Sequence, residues 1–578
     1  MKRRDFLKTL PLGVAAAAVP FSVGGLFSGK AFGRSSALES LLNVQSATDN
    51  VLVVINLQGG NDGLNTVIPF SSDPVAPYNR LRKDIGYVTD DDRIKIAPYL
   101  LRSDLALNLP LANPAYPDIP SGKPGSDAFF NMFKDGKLAI VQNVGYANPN
   151  LSHFRATDIW NTASDSEIVV STGWMGRYLE TQEPADYPIH GSTDPIAIEI
   201  DYSTSLAFQG TRSVMALSVN DPNNYNAASN YADDTPPENN YGAELSYVRG
   251  ILVQSAIYGA RLKTLFPDPK KPPSNTVTYP DGNPLAVQLK KVAWCINAGM
   301  QTRVYFVTLG GFDTHVSQYS KDPAVGQGLL HKYLGEAISL FQKDMENMGH
   351  ADRVIGMTYS EFGRRVNQNG SFGTDHGTAA PMFLFGKPIN GELYGRTPNL
   401  TPNTLSDPTS LDAYGNLTWQ FDFRQIYATL LTQWFGADDS LRKAILNKVP
   451  DFTQKQDFKD PNNGFQFPVN GSAKIQNLIT NPVNAVAQSQ IPTFTLYQNQ
   501  PNPFIGTTTI KFALTEGARV LLEVFDSRGS LVSTVANSYM GRGNNQAIFD
   551  GRTLPSGTYY CRLEVNGKAM TQPMVLVK

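Results

Sequence analysis

VLVVINL (51–57) running into QGGNDGLN (58–65) is the stretch that decides the fold. A short apolar run that ends on a glycine pair reads as a buried strand followed by a tight turn. Three more stretches repeat the arrangement. KLAIVQNV (137–144) leads into GYANPNLSHF, RVYFVTLG (303–310) into GFDTH, and DRVIGMTYS (352–360) into EFGRR and then GTDHG. In open α/β sheets, ligands bind outside the carboxyl ends of the strands. The residues that follow the four runs are therefore the candidate site: Asp62, Ser152, His153, Asp313, His315, Glu361, Asp375 and His376. They supply the oxygen and nitrogen donors of a metal site, with Ser152 as a candidate nucleophile.

Between the strand-like runs lie helical patterns. Residues 285–299 run directly into the strand at 303. Residues 328–349 carry Leu330, Leu334, Ile338, Phe341 and Met345 on one face, and 423–436 closes on a glycine. This alternation predicts an α/β domain with a mostly parallel sheet and helices on both faces. The stretches 219–242 and 266–284 are polar and rich in Asn or Pro, which predicts surface loops.

The chain has 578 residues, 41% of them hydrophobic, and a formal net charge of −2. That length calls for more than one domain. The near-neutral balance gives no support to a general nucleic-acid-binding role. Only two cysteines occur, Cys295 and Cys561, so neither a disulfide framework nor a cysteine zinc cluster is expected. Cys561 alternates with Tyr559, Leu563 and Val565, which places it on the inner face of a strand.

Both ends read as addresses. Arg3-Arg4-Asp5-Phe6-Leu7-Lys8 resembles the twin-arginine export signal. A weakly apolar segment follows it, with Ala31-Phe32-Gly33 as a cleavage site. The expectation is a signal peptide over 1–33, read by the twin-arginine translocase, then a linker over 34–49. No later segment has enough continuous apolar residues to span a bilayer. Residues 50–450 form the α/β domain and 451–490 a linker. From 491 to 578 the chain becomes short alternating strands with turns at Asp526–Gly529 and Leu554–Gly557, which predicts a small β-sandwich. LYQNQPNPF, FDSRGSLV, LPSGTYYCRLEVNG and the final VLVK resemble the type A sorting domain of the type IX secretion system. That resemblance implies the type IX machinery as a partner and export through the periplasm to the cell surface or exterior.

Each candidate residue has a plain alternative. Asp62 is a metal ligand or the head of an Asx turn. Ser152 is a nucleophile or the N-cap of a helix over 153–161. His153 is a ligand or a base. Glu361 and Arg364 are a carboxylate ligand and an anion clamp, or a surface ion pair. Three of the six histidines fall in these strand-end motifs. His190, His331 and His350 are read as non-functional.

GGNDGLN, SHFRATDIW, GGFDTH, SEFGRR and GTDHG, in this order, resemble the family called domain of unknown function fifteen-oh-one, over about residues 50–450. That family is similar in presumed fold to the alkaline phosphatase/sulfatase superfamily. The resemblance implies an alkaline-phosphatase-like α/β fold beside an immunoglobulin-like sandwich. It also implies a divalent metal held by Asp62, Asp313, His315, Asp375 and His376, to which the residue types add Glu361 as a ligand and zinc, manganese or calcium as the ion. Ser152 takes the place of the family's nucleophile, the residue types add His153 and Arg364 as catalytic groups, and a small or glycan ester would be the substrate. This sequence departs from the pattern at two points. No histidine follows His376, and no sulfatase nucleophile motif occurs. The expected function is an exported metal-dependent hydrolase of phosphate- or sulfate-type esters. The alternatives are a catalytically degenerate binding protein on the same fold and a structural cell-envelope protein.

Overall fold

A computed structural model describes residues 49–69, 75–86, 93–95, 105–108, 128–183, 187, 192–225, 237, 240–268, 270–271, 273–318, 326–395, 397–400, 411–446, 475, 478–480, 494–514, 518–526, 531–541, 543–565 and 568–578. The signal peptide expected at 1–33, nearly all of the linker expected at 34–49 and the turn at 527–529 lie outside them. The chain divides into two compact units, residues 1–483 and 484–578.

The first unit is built on one nine-stranded sheet. Its strands are β1 (Val51–Leu57), β5 (Leu138–Gly145), β6 (Ala197–Glu199), β7 (Leu217–Ser218), β8 (Val304–Leu309), β9 (Val354–Tyr359), β10 (Ala380–Phe385), β11 (Leu393–Tyr394) and β12 (Phe421–Asp422). The order is β11-β5-β10-β9-β1-β8-β6-β7, with β12 also on β5. A small separate sheet holds β2 (Val67–Pro69), β3 (Arg93–Lys95) and β4 (Leu105–Asn108). In the large sheet only β10 runs antiparallel to its neighbours, β5 and β9. The carboxyl ends of β5, β9, β1 and β8 therefore share one edge with the start of β10. The loop from β9 to β10 never leaves that edge, and it carries Glu361, Asp375 and His376.

The apolar run of β1 divides between two cores. Val51, Val53, Ile55 and Leu57 pack with the helices Ala128–Lys134, Pro284–Asn297 and Gly326–Asn347. Leu52 and Val54 pack with His153–Thr162, Trp174–Glu180, Phe423–Thr429 and Asp439–Leu446. Alternate side chains of one strand point to opposite faces, so a central strand covered on both sides must be apolar throughout. The expected mostly parallel sheet with helices on both faces is the one observed.

Two sequence expectations need correction. The polar stretch 219–242 gives way at its end to a 26-residue helix, Asn240–Leu265. The segment expected as a linker also contributes to the core. Ile475, Leu478 and Ile479 are buried in the second core, and Ile479 bridges Ile389. The folded domain thus runs past residue 450.

The second unit has strands β13 (Phe494–Leu496), β14 (Thr507–Leu514), β15 (Ala518–Phe525), β16 (Leu531–Met540), β17 (Gly543–Asp550), β18 (Gly557–Val565) and β19 (Lys568–Leu576). They form two antiparallel sheets, β13-β14-β17 and β16-β15-β18-β19. Inward residues of both sheets, among them Ile510 and Phe512 of one and Val520, Leu522, Val524, Cys561 and Leu563 of the other, share one core, as in a β-sandwich. Cys561 and Cys295 are both free and buried.

Candidate metal centre

The parallel register sets Leu57 opposite Leu309 and Asn56 opposite Tyr359, so the loops leaving β1, β8 and β9 start side by side. Backbone and short side chains knit them. Phe312 N donates to Gln58 O at 3.1 Å, Asn61 N to Ser360 Oγ at 2.8 Å, and Ser360 Oγ to Leu57 O at 2.6 Å. Gly59 has φ +121°, and a Cβ there would lie 2.3 Å from Asp313 N. A Cβ on Gly373 would lie 2.3 Å from the carbonyl of His315. Only glycine permits these two approaches, which bring the GGND, GFDTH and GTDHG loops together.

Three imidazoles converge on the Asp313 carboxylate. His315 Nε2 lies 3.1 Å and His376 Nε2 3.2 Å from Asp313 Oδ1, and His153 Nε2 lies 3.5 Å from Oδ2. His315 Nε2 and His376 Nε2 are 3.0 Å apart. Each ring's Nδ1 is engaged elsewhere. His376 Nδ1 donates to the Leu151 carbonyl at 2.8 Å, His153 Nδ1 to Glu361 Oε1 at 2.8 Å, and His315 Nδ1 to Asp375 Oδ1 at 3.3 Å. A carbonyl can only accept, so His376 carries its proton on Nδ1 and a lone pair on Nε2. Glu361 favours the same tautomer in His153, and Asp375 can hold it in His315, whose Nε2 also faces Asp313. A metal-binding histidine is normally held in this way, its second nitrogen fixed by a carboxylate or carbonyl.

Two of the groups behind the imidazoles and Asp313 are buried, namely Glu361 and Arg364, whereas Asp375 is exposed. Glu361 Oε1 accepts from both Gly59 N and His153 Nδ1, each at 2.8 Å, while its buried Oε2 has no hydrogen-bond partner among the described residues. Arg364 is 1% exposed, and its guanidinium donates to the carbonyls of Gly59, Gly60, Phe312 and Thr374 and to Asp313 Oδ1 at 2.6 Å. Burial works against the charged form of Asp313. The hydrogen bond and charge of the Arg364 guanidinium, with His376 and His315 close by, outweigh it, so this carboxyl titrates below its ordinary range. Asn369, donating to Asp375 Oδ1 at 3.1 Å, does most to lower the Asp375 carboxyl, helped by His315 and Arg365. The Phe362 ring packs on His153 and His376, with centroids 4.9 and 4.3 Å away.

The expected site residues fall in different places. Asp62 is not with the others: it is 1% exposed, paired with the buried Arg82 and bonded by Gln318 Nε2, while its Oδ1 accepts from Leu64 N. A carboxylate buried and paired in this way is held by Arg82, Gln318 and Leu64 N. Glu361 and Asp375 stand behind His153 and His315 and orient them. Arg364, expected as an anion clamp, is spent on the loop backbones. His153 lies with Asp313 and His376, their possible ligand atoms all within 4.8 Å of one another. Ser152 is exposed at the N-cap of His153–Thr162, where its side chain makes no capping bond. His331, read as non-functional at a surface helix, is buried. Its Nε2 lies 3.0 Å from Thr66 Oγ1 beside the Asp62 loop, and burial lowers its pKa to about 3.

Sequence reasoning missed Arg365. It is exposed, its charge acts on Asp375, and its guanidinium makes no hydrogen bond among the described residues. The signal was the second arginine of SEFGRR. One of two adjacent residues on an extended loop faces in and the next faces out.

Residues 296–449 match the family described as a protein of unknown function, DUF1501. That span holds Asp313, His315, Glu361, Arg364, Arg365, Asp375 and His376. Residues 499–578 match the secretion system C-terminal sorting domain. A chain with this tail is addressed to the type IX secretion machinery and to the cell surface or exterior. No helix among the described residues is long and apolar enough to cross a membrane. No curated protein matches the sequence. Among solved structures, the fold is similar to that of the PsFucS1 sulfatase of Pseudoalteromonas sp., with 9% identity over 89% of this chain and 87% of that one and a TM-score of 0.26. It is also similar to a protein in the alkaline phosphatase superfamily from Vibrio parahaemolyticus (9% identity, 84% and 85% covered, TM-score 0.25). A third likeness is to the lipoteichoic acid synthase LtaP of Listeria monocytogenes (8%, 71% and 81%, TM-score 0.22). Each likeness concerns the fold alone.

Proposed function

We propose that this protein is an exported hydrolase of phosphate- or sulfate-type esters that works with one divalent metal ion. The observation that carries this reading is the convergence of His153, His315 and His376 Nε2 on the Asp313 carboxylate, with every Nδ1 already engaged. The donor set fits a metal. His153, Asp313 and His376 offer ligand atoms that all lie within 4.8 Å of one another, and His315 Nε2 adjoins two of them. Three carboxylates, Asp313, Glu361 and Asp375, stand at the cluster against two guanidiniums, Arg364 and Arg365, which leaves an excess negative charge for a cation to offset. Imidazole-rich sets suit zinc and, less well, manganese. Calcium takes oxygen ligands almost throughout. We assign zinc.

When bound, a divalent ion supplies Lewis-acid polarisation of the ester and lowers the pKa of an adjacent hydroxyl or water. The chain's own residues do the rest. Glu361, Asp375 and the Leu151 carbonyl hold the three rings in one tautomer. Arg364 fixes Asp313 against the backbone of the first loop. Ser152 lies between Leu151 and His153, both of which touch the cluster, and its hydroxyl is free to attack. The helix it opens favours negative charge at its amino end. Arg365 is the exposed cation available to meet the anionic group of the ester. In this reading the twin-arginine translocase carries the chain across the inner membrane already folded around its metal.

The commitment of Asp62 to Arg82 favours a second reading, a binding protein on the same fold that holds one metal without turnover. Zinc-loaded protein assayed on 4-nitrophenyl phosphate and 4-nitrophenyl sulfate decides between them. Turnover lost in Ser152→Ala and His376→Ala supports the hydrolase. Metal bound with no turnover on either ester leaves the binding protein.

A further inference from the structure

The turn that supports Asp375 also presents an aromatic ring in an unfavourable backbone conformation. Phe372 has φ 58° and is 57% exposed, and Ser317 across from it has φ 48°. A bulky non-glycine residue in the left-handed region is an outlier, and such outliers cluster at functional sites. Two backbone bonds tie the strained residues together: Ser317 N donates to Ser371 O at 3.1 Å and Gln318 N to Phe372 O at 2.8 Å. Asn369 builds the turn. Its Oδ1 accepts from Ser371 N and Gly373 N, and its Nδ2 donates to the His315 carbonyl and to Asp375. The conformation of Phe372 is thus fixed by the residues that orient His315.

Other exposed apolar residues flank the same cluster. Val316 follows His315 and is 63% exposed, and Phe154 follows His153 and is 87% exposed. Ile168 and Val169 are exposed too, and their loop is bound to the same helix turn through Arg155, which donates to Ser166 O at 3.0 Å and to Ile168 O at 2.6 Å. A polar metal cluster bordered by exposed apolar side chains suits a ligand with two unlike parts.

We infer that the ligand of this centre joins its anionic head to a flat ring with an apolar face, and that Phe372 is the residue that seats the ring. The inference rests on the metal centre proposed above and narrows its substrate to ring esters, with the ring alcohol as the group released. Exposed aromatic and aliphatic side chains gain from covering such a ring, by offset stacking at Phe372 and by apolar burial around it. An alkyl ester with the same head meets no such contact. Glycine would remove the backbone strain at 372, so a purely structural role gives no reason for phenylalanine there.

The test uses the zinc-loaded full chain and calorimetric binding of phenylphosphonate and methylphosphonate, with phenylsulfonate and methanesulfonate beside them. The expected result is about tenfold tighter binding of the phenyl member of the pair that binds, equivalent to about 1.4 kcal/mol. Phe372→Gly should abolish that preference, leave methyl-anion affinity unchanged and not lower the melting temperature. Phe372→Trp should keep the preference. Equal binding of phenyl and methyl anions, no binding of any of the four, or a preference that survives in Phe372→Gly overturns the inference. Turnover of 4-nitrophenyl esters is scored separately. A ring preference without turnover retains the ring site and ends the hydrolase reading, and turnover without a ring preference does the reverse.

Discussion

His315 and His376 face each other through their Nε2 atoms at 3.0 Å, and with each ring protonated on Nδ1 neither Nε2 is a donor. Both Nδ1 protons are spent, on Asp375 and on the Leu151 carbonyl. Two lone pairs at that separation repel unless a proton or a cation lies between them. A single proton satisfies that pair alone, whereas a divalent ion also engages Asp313 and His153. The predictions below follow from this arrangement and from the fold around it.

Asp62 should be a folding residue and not a ligand. Arg82→Met leaves its carboxylate buried and unpaired, which costs about 3–5 kcal/mol and should appear as a lower denaturation midpoint. Asp62→Asn should cost less and leave bound metal per chain unchanged. Metal lost from a folded Asp62→Asn protein would place Asp62 among the ligands.

Glu361 should act on the metal through His153. Glu361→Gln keeps the shape and removes the charge that holds the His153 tautomer. Metal affinity should fall by about 10–100-fold, read by competition with a chromogenic chelator, while the circular dichroism spectrum stays as in the parent. An unchanged affinity would show that His153 needs no such partner.

Glu199 should make the first unit less stable as the solution becomes alkaline. It lies buried on β6, where loss of solvation raises its pKa to about 8 despite the bond from Ser205 N at 2.7 Å. The unfolded group titrates near 4.5. The folded pKa is the higher one, so this contribution is complete below pH 4.5 and is lost as pH rises towards 8. The sum is of the order of a few kcal/mol. Glu199→Gln should flatten that decline in denaturant melts between pH 5 and 8, and a decline of unchanged slope would contradict the assignment.

A chain ending at Val483 should keep the melting temperature of the first unit, because the core closes with Leu478 and Ile479 and the sandwich has a core of its own. A chain ending at 450 should be less stable, since it strips three buried residues from that core; each large-to-small loss of this kind costs about 2–5 kcal/mol. Equal melting of both truncations would show that 475–480 adds nothing.

Most of the fold was legible because its signals are local. The four apolar runs gave β1, β5, β8 and β9 to within two residues, and Val520, Leu522 and Val524 gave the inner face of the sandwich. The helix Asn240–Leu265 escaped because its apolar residues are spread around the axis and leave no stripe to read. Ile475, Leu478 and Ile479 escaped because three apolar residues in a polar stretch carry no period. At the site, sequence located the right loops. It could not assign inner and outer roles, since the pairing of Asp62 with Arg82 and of His153 with Glu361 spans 20 and 208 residues of chain. Such partners are chosen by the sheet order and by the reversed direction of β10, which keeps the GTDHG loop at the edge where β9 ends.

The most direct test of the account is metal stoichiometry on the full chain purified without added metal and then titrated with zinc. The account predicts one zinc per chain, removed by a chelator with a fall in melting temperature, and lost in His315→Ala and His376→Ala proteins that still fold. Zinc at 100 times its dissociation constant should add about 2.7 kcal/mol of stability. A folded parent protein that takes up no divalent ion, or one whose uptake is unchanged when both histidines are replaced, would contradict it.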